Sequence, residues 1–170
     1  MLNFENIPVR LLHISIGTEF HGEGEITAAD LKVEVEMDND TLDDLSDTLR
    51  HSLFYADDTQ DLVSPDHRPH VRNPQLGTLR WKLDSQPVAL GFLLGGRKKD
   101  AMLFPDAKLT RLDLLPKEGA RVTYTLRVRV FPDEAEGAQL LGVLRLHEVK
   151  GTLAALDLPG ESGSDGNDDE

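Results

Sequence analysis

Ten cations in the middle of the chain could contact phosphates: Arg80, Lys82, Arg97, Lys98, Lys99, Lys108, Arg111, Arg121, Arg127 and Arg129. Lysine and arginine bind nucleic acid by neutralising phosphates, and neighbouring aromatic rings stack on unpaired bases. Trp81, Phe92, Phe104, Tyr124 and Phe131 lie among these cations. Strand alternation puts Trp81 and Tyr124 on apolar faces, so Phe104 and Phe131 are the expected stacking residues. Two histidine groups suggest metal chemistry instead. His21 stands beside Glu19, Glu23 and Glu25, and His67 and His70 stand three apart next to Asp66. Carboxylates and imidazoles do ligate divalent ions. Here glycines surround the first group and Pro69 opposes a helix in the second. A solvated acidic turn and a polar loop are the expectation, and no metal is assigned.

Other chemistry lacks an anchor. The chain has no cysteine, hence no disulfide, thiolate site or cysteine nucleophile. The GGRKKD stretch, residues 95–100, lacks the glycine spacing and the Ser/Thr of a phosphate-binding loop. No G-x-S-x-G elbow occurs. The acids sit in turns and on element surfaces, where charge serves solubility. The expectation is a binding protein without catalytic activity or cofactor.

These cations must be held by strands. Residues 121–131, RVTYTLRVRVF, alternate Val122, Tyr124, Leu126, Val128 and Val130 with Arg121, Thr123, Thr125, Arg127 and Arg129. That period of two predicts one buried face and one wet face. Residues 30–37 repeat the pattern, with Leu31, Val33, Val35 and Met37 inward. Further strands are expected over 8–16, 78–83, 87–94, 101–104 and 107–115, with a last strand or bent pair over 139–156. A helix competes for the first half of that last stretch. The run PVALGFLL, 87–94, reads as a strand buried on both faces or as the centre of a barrel wall. Residues 17–27, rich in glycine and glutamate, read as a loop, and so do 55–74. Leu42, Leu45, Leu49 and Leu53 recur at helical spacing, predicting one principal helix over about 40–54. The fold expected is mainly β: an antiparallel sheet, small barrel or sandwich of about seven strands. One domain is expected over residues 1–158, then a disordered acidic tail over 159–170.

The net charge of −13 is unevenly spread. Residues 1–65 carry −12, residues 66–130 carry +7 and residues 131–170 carry −8. A cationic β-domain followed by PGESGSDGNDDE resembles the layout of phage and bacterial single-stranded-DNA-binding proteins. The resemblance covers the layout and the last dozen residues. It implies a tail that competes with DNA for the groove and recruits other proteins. Those tails usually end in an aromatic residue, whereas this one ends Asp168, Asp169, Glu170.

The function expected is single-stranded nucleic-acid binding through a cationic β surface with an acidic regulatory tail. The alternative is an acidic interaction or inhibitor module of the phage anti-defence, DNA-mimic type. It would use the acidic stretch 39–54 against a DNA-processing protein. Exposed strand edges of a small β-protein can pair across a homodimer, and that is the self-association expected. The start, MLNFENIPVR, lacks a basic region followed by an apolar core, and no apolar run reaches the ~18–20 residues that span a bilayer. The expectation is a cytoplasmic protein without a membrane partner, in the host cytoplasm if phage-encoded.

Overall fold

A computed structural model of the chain describes residues 1–22, 24–56, 69–95 and 100–156. The described residues hold nine strands. They are β1 (Phe4–His21), β2 (Gly24–Asp38), β3 (Phe54–Tyr55), β4 (His70–Val71), β5 (Leu79–Trp81), β6 (Gln86–Leu93), β7 (Ala101–Lys117), β8 (Arg121–Val130) and β9 (Val149–Ala155). Helices α1 (Leu49–Leu53) and α2 (Glu134–Arg145) join them, with 3-10 turns at Asn39–Asp44 and Pro74–Leu76.

Six strands close a barrel in the order β1-β2-β8-β7-β6-β9, with β9 pairing back to β1. Every pairing is antiparallel. The mainly antiparallel β-fold of the sequence reading is what forms. β7 makes closure possible. Its first half pairs with β6 from Ala101 to Leu109, and its second half pairs with β8 from Lys108 to Lys117. The β8 register shifts between Leu109 and Arg111, a bulge that bends the strand where its neighbours change over. The short β5 continues the β6 edge, pairing Leu79–Trp81 with Leu112–Leu114.

The interior follows from alternation. Val122, Tyr124, Leu126, Val128 and Val130 are fully buried, and Leu31, Val33 and Val35 of β2 face them. Val88, Leu90 and Phe92 of β6 and Leu153 of β9 complete the ring. Burying a side chain of this size contributes about 1.5–3 kcal/mol. At one end Leu42 of the first 3-10 turn enters the core, and Thr41 Oγ1 lies 2.9 Å from the Tyr124 hydroxyl. At the far end of β8, α2 adds Leu140 and Val143 to the same core.

Three expectations are corrected. Residues 17–27 are not a loop. The β1–β2 ladder runs out to His21↔Gly24, and the hairpin turns at Gly22 with φ +66°. Beyond Ile16↔Ala29 this ribbon projects past the end of β8 as an arm. The helix expected over 40–54 is broken into the 3-10 turn and the five-residue α1. Thr41, Ser46, Thr48 and Ser52 bond side chains to nearby main chain or to one another, which competes with a continuous helix. Neither helix start receives a side-chain cap. The longest described helix is instead α2, which begins at Glu134 and takes the first part of 139–156, where a helix was the competing reading. Asp133 and Glu136 cap it reciprocally, at 2.7 and 2.9 Å. Only the second half of that stretch, β9, is a strand.

Candidate nucleic-acid interface

Three elements carry the site: β2, β8 and the second half of β7. On β8 the outward positions are Arg121, Thr123, Thr125, Arg127 and Arg129, as alternation requires. Register then decides each arginine's neighbours. Arg129 lies between Asp30 on β2 and Lys108 on β7. It grips Asp30 through Nε and Nη2, each at 2.8 Å, and also bonds Glu19 from the arm. This bidentate bond raises Arg129 above its ordinary pKa and, outweighing burial, holds Asp30 below the usual carboxylate range. Arg129 therefore ties the arm to the barrel.

Arg121 at the other end is also committed. It bonds Asp38 at 2.5 Å and Glu36 at 3.2 Å, while Lys117 bonds Glu36 at 3.1 Å. The Lys117 bond, against a smaller effect of burial, holds Glu36 below its ordinary range. Burial pulls Arg121 down, but its carboxylate partners hold it above its ordinary value. Arg111 bonds Asp113 at 2.7 Å, and Arg80 approaches the same carboxylate at 3.5 Å.

The row between these networks differs. Lys32, Arg127 and Arg111 stand abreast on β2, β8 and β7, and His13 of β1 lies opposite Lys32. Lys32 and Arg127 make no ion pair among the described residues. A shallow groove of about 190 Å³ runs along this row, lined by His13, Ser15, Asp30, Leu31, Lys32 and Arg127. Directly opposed residues on neighbouring strands hold their Cβ atoms about 5 Å apart, so the row concentrates positive charge.

The remaining expected residues divide as follows. Lys82 is exposed just beyond β5. Lys108 sits over the Phe131 ring, 5.9 Å from its centroid, at the end of β8. Phe104 cannot stack: it is 4% exposed and packs inside the barrel opposite Leu90. A register break between Val88 and Leu90 sets this phase of β7. Trp81 is partly buried against the core and Tyr124 is fully buried. Arg97, Lys98, Lys99, His67 and the acidic stretch 159–170 lie outside the described residues, as do Glu23 and the side chain of His21. His70 bonds Glu118 at 3.1 Å and its ring meets Tyr55. No group of three metal-ligating side chains occurs among the described residues.

Sequence reasoning missed Lys32, because it lies in the acidic N-terminal segment. The signal was available: Lys32 is an outward residue of a cleanly alternating strand. No described helix is long and apolar enough to cross a membrane. Compared with protein-family models, curated proteins and solved structures, the chain matches none.

Proposed function

We propose that this protein is a non-enzymatic binding module that holds the phosphate backbone of single-stranded nucleic acid on its outer barrel wall. The observation that carries this reading is the row Lys32–Arg127–Arg111. Arg129 and Arg121 on the same strand are each matched by acids, while this row leaves two cations unmatched beside a groove. Lys108 and Phe131 flank it and offer a cation over an aromatic face. The acidic C-terminal stretch supports a competing tail. Leu156 N donates to Pro87 O at 3.1 Å, and Pro87 is the neighbour of Lys108, so the last described residue lies one strand from that cation.

The test is anisotropy of a labelled oligothymidine at about 20 mM and about 200 mM salt. Three phosphate contacts on a single strand give a log–log slope of about −2. Replacing both Lys32 and Arg127 by Ala should weaken binding and flatten the slope, and deleting residues 161–170 should strengthen binding. Absence of binding at low salt, or binding indifferent to the pair, overturns the reading. One observation favours a second: Asp40, Asp44 and Asp47 are exposed and make no ion pair among the described residues, whereas five arginines of the sheet, Arg10, Arg80, Arg111, Arg121 and Arg129, do. An acidic module that occupies the cationic site of a DNA-processing protein would use those carboxylates.

A further inference from the structure

A second cleft lies on the same wall, away from the cationic row. The β1–β2 ladder ends at Val9↔Val35, but the β2–β8 ladder continues to Asp38↔Arg121. From Pro8 back, β1 pairs with β9 instead. Pro8 has no N–H to give β2. Asn6 takes the left-handed conformation at φ 52° and donates its N–H to Thr152 Oγ1, which turns the strand towards β9. The two walls part, and a cleft of about 450 Å³ opens between them. That is within the size range of small-molecule sites.

Its lining has two properties that a plain surface groove lacks. Thr123 lines it, is only 7% exposed, and has a buried hydroxyl oxygen with no hydrogen-bond partner among the described residues. A buried hydroxyl left unsatisfied costs about 1–3 kcal/mol. The rim also carries both signs in equal measure: Arg10, Lys117 and Arg121 against Glu34, Glu36 and Glu148. Lys117 and Arg121 share Glu36 at one side and Arg10 pairs with Glu34 at 3.5 Å, while Glu148 makes no ion pair among the described residues.

We infer that this cleft binds a zwitterion of the short-peptide class. An anion would meet three carboxylates and a cation would meet three basic groups. A dipeptide carries both charges, and a turn of the Thr123 side chain about χ1 would bring its buried, unpartnered hydroxyl to the central amide. Its carboxylate lies towards Lys117 and Arg121, and its ammonium lies towards Glu148. The inference is independent of nucleic-acid binding, because it shares none of the groove's cations.

The test is titration of the ¹⁵N-labelled full chain with the dipeptide Ala-Ala, read by amide chemical shifts. The neutral analogue N-acetyl-alanine methylamide serves as control. Saturable shifts at Arg10, Thr123 and Glu148 with Ala-Ala, and none with the analogue, are expected. Thr123→Val keeps the shape and removes the hydroxyl, so affinity should fall about three- to tenfold, the loss of one hydrogen bond. Glu148→Gln lies on an exposed residue and should weaken Ala-Ala binding if the valine variant fails to fold. No saturable shift, equal binding of the analogue, or an unchanged affinity in the variants overturns the inference.

Discussion

Two walls of one barrel share an interior and differ in what they show to water. The outward residues of β2, β8 and the second half of β7 are almost all charged or hydroxylated. Those of β6, β9 and the first half of β7 are mostly apolar or small: Ala89, Gly91, Leu93, Ala101, Leu103, Pro105, Thr152 and Ala154, with Asp106, Lys108 and Lys150 the charged ones. Leu103 is 56% exposed and lies across Gly91. The difference teaches that inward packing and outward charge are set independently. The fold needs only one face of each strand, so the other face is free to serve a ligand.

The largest effects should come from the shared interior and should not distinguish the walls. Leu126→Ala on the charged wall and Leu153→Ala on the neutral wall each empty a site that is at most 1% exposed. Each should cost about 2–5 kcal/mol in denaturant unfolding. A cost below about 1 kcal/mol for Leu153 alone would show that the neutral wall is not part of a common core.

Tyr124 gives the next effect, on the charged wall only. Burial pushes its phenol up to about 12, against the opposing bond from Thr41. The folded state therefore holds the proton more tightly than the unfolded chain. Stability is fully present below the ordinary value near 10 and falls as pH rises towards 12. The loss should reach about 2–3 kcal/mol when the phenol is fully ionised. Tyr124→Phe should remove most of that alkaline loss, as monitored by thermal unfolding between pH 9 and 12. A variant as alkali-sensitive as the parent would place the titrating group elsewhere.

Arg129 should give a smaller effect that depends on acid. It joins β8, β2 and the arm, but more than a third of its side chain is exposed, so solvent screens it. Arg129→Ala should cost on the order of 1 kcal/mol at neutral pH. Asp30 is held below its ordinary value chiefly by this bond. Its contribution is complete above about pH 4 and disappears as pH falls through the depressed value. Parent and variant should therefore converge in stability as the solution is acidified. Parallel curves would mean that Arg129 acts through its packing.

These partners explain which parts of the protein were legible in its sequence. The β8 strand could be read because alternation is local. Residues 121–130 state their own inside and outside, and the same is true of 31–37. The partners of its arginines could not be read, because Asp30 and Glu19 lie 99 and 110 residues away from Arg129. A charge count by segment gave the middle of the chain +7, yet closure of the barrel sets acidic β2 against cationic β8 and cancels most of it. The α2 helix was legible, yet over 139–145 it stood only as the competing reading. Asp133 and Glu136, three apart before an apolar run, are a capping pattern, whereas the leucine spacing of 42–53 outweighed its interrupting serines and threonines.

The smallest effect bears most directly on the difference between the walls. Arg127 faces Lys32 on one side and Arg111 on the other. Asp30, which Arg127 helps to hold below its ordinary pKa, is already gripped by Arg129. Like charges directly opposed across strands are destabilising by a few tenths of a kcal/mol. Arg127→Ala should therefore leave stability unchanged or raise it by about 0.2–0.5 kcal/mol at low salt. Any gain should vanish at about 1 M salt, where the screening length falls to about 3 Å. Such a result would mean that the row serves a ligand and not the fold, since Arg127 makes no ion pair that would hold the strands together there. A loss of more than about 1 kcal/mol would instead make Arg127 a structural residue. The neutral and charged walls would then differ only in how they are held together, and the phosphate reading would lose the observation it rests on.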